Sequence, residues 1–291
     1  MSWYERMNEA IDYIEENLDG QIDFERISKI MCQSVVNFQR TFSIVTDITV
    51  NEYIRRRRMT LAAFEMQNSK VKVIDIALKY GYESPEAFTR AFKEIHGISP
   101  TAARKEGIPL KSYPRLTFLL SVKGDVAMDY RIESKEAFKV YGIERIFTTD
   151  GGKHLESIPN FWLETIKDGQ LEKLAKSANG TSNVHSICQY RETGGNSFPY
   201  MLFAYLTNES ETEGYVEVEV PSATWAIFRT PIHTEEETSN ELQRLIKRVY
   251  TDWLPTANYE KVDGYELELY FRTDDGKCYC ETWMRVMPKV I

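Results

Sequence analysis

The stretch Phe38-Gln39-Arg40-Thr41-Phe42, followed after four residues by Asp47-Ile48-Thr49, returns fifty residues later as Phe88-Thr89-Arg90-Ala91-Phe92 followed by Gly97-Ile98-Ser99. Each copy starts at a helix signal, Ser34 in the first and Ser84-Pro85 in the second. There a hydroxyl caps free backbone N–H groups and a proline fits the first turn. Two copies of one short helix are therefore predicted.

In the second copy Ala87, Phe88, Ala91, Phe92 and Ile95 form an apolar side, and Glu86, Thr89, Arg90 and Lys93 fall opposite them. The first copy predicts Val35, Phe38, Phe42 and Val45 inward, with Val36, Gln39, Arg40 and Ser43 outward. An ordinary amphipathic surface helix accounts for either one alone. The duplication points instead to a shared task, and an outward face of amide, guanidinium, hydroxyl and carboxylate suits base edges in a major groove. A shorter helix precedes each copy: 24–31 leads through Cys32-Gln33 to Ser34, and 73–80 leads through Gly81-Tyr82-Glu83 to Ser84. Helix, tight turn, helix is the helix-turn-helix arrangement.

These residues resemble the AraC/XylS family of transcription regulators. The resemblance rests on Ile76-Ala77-Leu78-Lys79-Tyr80-Gly81-Tyr82-Glu83-Ser84, on Phe88-Thr89-Arg90-Ala91-Phe92-Lys93 and on Gly97-Ile98-Ser99-Pro100, and it covers residues 5–106. It implies seven helices, with two recognition helices joined by a long linker helix and entering adjacent major grooves of double-stranded DNA. Carried over by position, the base-facing residues are Val36, Gln39 and Arg40 in the first unit, and Pro85, Glu86, Thr89 and Arg90 in the second. Two departures matter. Cys32 stands where the family usually has glycine, at a turn that favours a left-handed backbone. Glu86 stands where close relatives carry an amide.

The linker helix is predicted over 51–67 and contains Arg55 to Arg58. Four consecutive residues spread over about 300° of a helix, so one or two are expected to reach phosphate and the rest to pair with carboxylates or water. The 291-residue chain has 42% apolar residues and a net charge of -8. Residues 1–108 carry 15 basic and 16 acidic side chains, against 21 and 28 in residues 109–291, so the acidity belongs to the second half. No membrane-spanning run or export signal is evident, and a cytoplasmic location is expected. The four cysteines form no metal-binding spacing, and no cofactor, metal or catalytic constellation is assigned.

The expected division is a DNA-binding domain over 1–108, a Pro- and Gly-containing linker over 109–125 and an α+β domain over 126–291. Within the linker, 116–122 is a candidate strand or docking segment. Beyond it, candidate strands lie at 128–133, 138–143, 184–190, 200–206, 215–220, 224–230, 265–271 and 278–286, with helices at 157–176 and 235–253. Strand, helix, strand, strand occurs twice, starting near Phe138 and near Thr224. The fold class is thus α+β, with an all-α tandem helix-turn-helix domain before a duplicated α+β domain.

The second half resembles GyrI-like effector domains, in a layout like that of Rob-type AraC regulators. The resembling residues are Ile158-Pro159-Asn160-Phe161-Trp162, Trp253-Leu254-Pro255, Leu267-Glu268-Leu269-Tyr270 and Glu281-Thr282-Trp283. The resemblance implies an aromatic pocket with an acidic floor for a small, cationic or lipophilic effector, with RNA polymerase as a partner of the whole regulator. Alternation puts Glu266, Glu268 and Tyr270 on one strand face, and motif position selects Glu268. Trp162, Trp283, Tyr141 and Tyr190 complete the effector-binding candidates, with core packing as the competing reading for each. Two alternatives remain beside effector binding: hydrolysis of a small electrophile by Glu268 with Tyr270, or binding of a protein partner.

A carboxylate at position 86 accepts hydrogen bonds from cytosine N4 or adenine N6 but donates none. Glu86→Gln is therefore expected to change the base preference at one operator position. Binding to a panel of sites varied at each base checks this, and an unchanged preference profile contradicts it.

Overall fold

The computed structural model describes residues 1–119, 127–178 and 183–289. By its contacts the chain forms two compact units, Met1–Cys32 with Ile48–Leu119, and Gln33–Asp47 with Leu120–Ile291. The first seven helices are α1 (Trp3–Glu16), α2 (Phe24–Met31), α3 (Val35–Thr46), α4 (Val50–Asn68), α5 (Val73–Lys79), α6 (Pro85–His96) and α7 (Pro100–Ala103). All but α3 belong to the first unit.

Local chemistry sets these boundaries. Ser2 and Glu5 form a capping box at α1, and the Ser84 hydroxyl accepts from the Ala87 N–H at 3.1 Å to start α6. Cys32 ends α2 with φ 52°, so a β-carbon is tolerated in the left-handed turn that usually takes glycine. Phe88, Phe92 and Ile95 of α6 pack with Met59, Ala62, Ala63 and Met66 of α4 and with Ile76, Ala77 and Tyr80. Glu86, Arg90 and Lys93 are exposed on the other side, as the periodicity predicts.

Each of the four arginines of α4 makes internal contacts. Arg55 bonds Glu52 and Glu94, Arg56 bonds Glu52, Arg57 bonds Glu15 and the Tyr113 carbonyl, and Arg58 bonds the Leu18 and Gly20 carbonyls. The segment after α7 is held along this unit by Tyr113, Leu116 and Phe118, whose backbones bond Arg57, Tyr53 and Asn8. Residues 116–119 form no strand, and the rest of the predicted 116–122 segment lies outside the described residues.

In the second unit the elements after α3 are β1 (Tyr130–Lys135), β2 (Phe138–Thr148), α8 (His154–Lys167), α9 (Gln170–Ser177), β3 (His185–Cys188), β4 (Ser197–Tyr205), β5 (Val216–Val220), β6 (Ala223–Arg229), α10 (Thr238–Arg248), β7 (Tyr259–Arg272) and β8 (Cys278–Pro288). The helix predicted over 157–176 is two helices, because Gly169 adopts φ 75° between them. The eight strands form one antiparallel sheet in the order β1-β6-β8-β7-β3-β4-β2-β5. The predicted duplication is present as β2-helices-β3-β4 and β6-α10-β7-β8, and the two halves join where β3 pairs with β7.

Periodicity did not reveal the edges. β1, which precedes the first half, pairs with β6 of the second, and β5, which precedes the second half, pairs with β2 of the first. This exchange ties the halves together through backbone hydrogen bonds at both margins. One sheet face packs Tyr141, Phe147, Cys188, Tyr200, Leu202 and Ala204 against Phe161 of α8 and Leu174 of α9, and Val36 of α3 joins that cluster. The other face carries Ile187, Met201, Phe203, Trp225, Leu267 and Trp283.

Gly142 of β2 lies where a β-carbon would come within 1.8 Å of the Leu202 carbonyl oxygen of β4. Backbone cannot yield as a side chain does. Gly142→Ala is expected to destabilise the protein by about 1 to 3 kcal/mol, measured as a lower midpoint in urea denaturation.

Candidate functional site

The site is built on β7. Alternation presents Glu266, Glu268 and Tyr270 to one face, and the register sets Ser186 opposite Glu268 and Cys188 opposite Glu266. The Ser186 and Tyr270 hydroxyls both donate to Glu268 Oε2, at 3.0 and 2.9 Å. Trp162 of α8 meets Tyr270 edge to face at 5.1 Å, and its indole N–H donates to the Tyr200 hydroxyl at 2.9 Å. Burial pushes the Glu268 carboxyl above its ordinary value, against the two hydroxyls and the Arg40 charge that favour ionisation.

A bulge interrupts β7 one turn of alternation earlier. Lys261 pairs with Val286 and Glu266 with Met284, so residues 262–265 stand opposite Arg285 alone. Gly264 and Tyr265 take φ 77° and 46° to make it. The bulge brings Lys261 beside Glu266, with Nζ 2.9 Å from Oε1, and the Tyr250 hydroxyl donates to the same oxygen at 3.2 Å.

The bulge also turns Asp263 toward α3. Its carboxylate accepts from the Ser34 backbone N–H at 2.8 Å and from the Asn37 amide. One turn on, Arg40 Nη1 donates to Glu266 Oε2 at 3.0 Å, and the guanidinium lies 4.9 Å over the Phe198 ring. The Thr149 hydroxyl donates to the Gln39 side-chain oxygen, and Lys247 pairs with Asp47 at the end of the helix. Burial alone would raise Glu266, yet Lys261 and Arg40 hold it down to about 2.

The predicted effector residues do not all converge. Glu268, Tyr270 and Trp162 come together. Tyr141 shares their sheet face but is fully buried, its hydroxyl 2.9 Å from that of Ser177. Trp283 lies on the opposite face, its indole N–H bonded to Glu281 at 2.9 Å, and Tyr190 packs in the same opposite cluster with its hydroxyl 2.5 Å from Glu144. Alternation separates them: Trp283 pairs with Leu267, whose side chain points away from Glu268.

In the second recognition helix Glu86 and Arg90 are exposed, and Pro85 and Thr89 are half-buried. In the first, the face predicted to point outward is covered: Gln39 is 4% exposed and Val36 9%, and Arg40 is bound as above. Sequence reasoning missed Lys261, Asp263, Ser186, Phe198, Tyr200 and Tyr250 as neighbours of the acidic floor. Only Asp263-Gly264 carried a signal, an Asp-Gly pair that reads as a turn just before the predicted strand 265–271 and instead forms a bulge inside β7.

Residues 131–286 match the Cass2 family, described as integron-associated effector binding protein. The chain belongs to that family. Residues 27–106 match a helix-turn-helix domain, here of the AraC/XylS type. HTH-type transcriptional activator AarP of Providencia stuartii is 38% identical over 98 residues, 34% of this chain and 73% of AarP. The right origin-binding protein of Escherichia coli strain K12 is 23% identical over 280 residues, 93% of this chain and 92% of that protein. The structure of SAV2435 bound to tetraphenylphosphonium is 17% identical, covers 55% of this chain and 94% of its own, and has a TM-score of 0.45. This Cass2-family chain thus joins an AraC/XylS-type DNA-binding domain to a GyrI-like effector-binding domain, and its relatives include transcriptional regulators.

The two carboxylates should respond oppositely to neutralisation. Glu266→Gln leaves Lys261 and Arg40 buried without their anion and is expected to destabilise by about 3 kcal/mol. Glu268→Gln removes a charge that burial disfavours and is expected to leave stability unchanged or raise it. Because the folded Glu266 titrates below its ordinary 4.5, its stabilisation is present above that value and is lost as pH falls toward 2. Urea denaturation of both variants between pH 7 and pH 3 reads out the difference.

Proposed function

We propose that this protein is a sequence-specific transcription regulator whose C-terminal domain binds a small cationic, lipophilic effector. The observation that carries the effector class is Glu268, a half-buried carboxylate held by Ser186 and Tyr270 beside Trp162. A desolvated acid rimmed by aromatic rings attracts a cation with apolar surface twice over, by opposite charge and by the ring faces. Neighbouring Glu266 is already paired with two cations, Lys261 and Arg40, so Glu268 is the acid left to an effector.

In this proposal residues 1–108 contact DNA, 109–125 connect and 126–291 receive the effector. Val36, Gln39 and Arg40 read one major-groove segment, and Pro85, Glu86, Thr89 and Arg90 read the next. A single chain then spans about one helical turn of DNA, roughly 34 Å. RNA polymerase is the partner to which the bound regulator transmits its signal, in the cytoplasm. Among the described residues no helix is long and apolar enough to cross a membrane.

Two measurements test this reading. Tryptophan fluorescence of the full chain is expected to saturate with aromatic cations and not with matched anions, and Glu268→Gln is expected to weaken the cation response at least tenfold. Equal responses to both charges would sink the cation assignment. On DNA, Arg90→Ala is expected to cost about 1 to 3 kcal/mol at the specific site. An equal loss on random DNA would make Arg90 a phosphate anchor instead.

A further inference from the structure

We propose that the resident ligand of the acidic groove is the chain's own Arg40, and that an effector is a competitor of the same chemistry, a planar delocalised cation of the guanidinium or amidinium type. This rests on the cationic reading of the groove and goes on to name what must leave it. Arg40 makes the interactions that such a ligand would make. Its Nη1 donates to Glu266 at 3.0 Å, its Cζ lies 4.9 Å from the centroid of the Phe198 ring, and Glu268 is close enough to add to its charge stabilisation. A guanidinium supplies flat donors toward a carboxylate and a weakly hydrated face toward a ring, where an ammonium supplies neither.

The contact is not confined to one side chain. Asp263 accepts from the backbone N–H of Ser34 and from Asn37 at the start of α3, Thr149 donates to Gln39 in its middle, and Lys247 pairs with Asp47 at its end. Val36 enters the apolar cluster containing Tyr200 and Trp162. Three of the residues so engaged, Val36, Gln39 and Arg40, are those proposed to read bases from the first recognition helix. The same face therefore cannot hold the groove and a DNA major groove at once. Because Arg40 already holds Glu266 Oε2, an effector that takes over that contact displaces Arg40 and with it α3.

The test uses the full-length chain, with Asp263→Ala to loosen the start of α3 and Lys247→Glu, at a half-buried position, to repel Asp47 at its end. Both variants are expected to bind specific DNA at least fivefold more tightly than wild type in a mobility-shift titration. Both are also expected to bind benzamidinium at least fivefold more tightly by calorimetry, and tetraethylammonium, which lacks donors and a flat face, is expected to bind weakly throughout. Wild-type DNA affinity in both variants overturns the proposal, even where benzamidinium binds and Glu268→Gln abolishes that binding. Tighter DNA binding with no cation binding in any variant supports α3 as an occupant of the groove and overturns the cation reading and the ligand class. Equal affinity for the two cations overturns the ligand class alone.

Discussion

Glu266 sets the terms for the second unit. A carboxylate taken out of water is costly unless opposite charge and hydrogen bonds replace the solvent. Here that replacement comes from Lys261 on the same strand, Tyr250 after α10 and Arg40 on α3. None of the three reaches Glu266 by strand regularity. Lys261 gets there because the bulge closes the distance along β7, and the same bulge turns Asp263 to the start of α3. Acid, bulge and helix are thus mutually dependent, and removing any one leaves a buried charge or a free helix end.

The two recognition helices show what a repeated sequence can and cannot determine. Their caps are set by adjacent residues, and Ser34 and Ser84 each accept from the backbone N–H three residues on, as the copies predict. Their apolar sides also follow from periodicity. The fate of the polar side does not, because it depends on what chain elsewhere offers. Near Glu86 and Arg90 solvent remains, whereas near Gln39 and Arg40 stand Thr149, Glu266 and Phe198, more than a hundred residues away. An outward face on a helical wheel is a statement about one helix only.

The same limit divides the rest of the fold. The duplication of strand, helix and two strands was legible because each half repeats its own alternation and helix signals. The exchange of β1 and β5 between halves was not, since edge pairing is a matter of backbone partners and leaves no mark on residue type. In the site, Glu268 and Tyr270 were legible as neighbours two apart on one strand. Trp283 was misjudged as a companion because motif proximity ignores the parity of the facing strand: β8 pairs it with Leu267, and that pairing fixes its face.

The choice of arginine at position 40 follows from what its two proposed partners share. Guanine presents two acceptors in one plane in the major groove, and a carboxylate presents two oxygens in one plane. A guanidinium matches both, so a side chain suited to reading a base is also suited to binding a buried acid. The acid here has a further hold, because the guanidinium lies over the Phe198 ring and Glu268 adds its charge. In the proposed DNA complex a comparable set of contacts comes from Gln39 and Val36 beside Arg40 and from α6 in the next groove segment. The balance between the groove and DNA is therefore a difference between two multi-contact sets of similar chemistry, and such a difference can be small although each set is strong. A cation that takes over the Glu266 contact removes one side of that difference without touching the other.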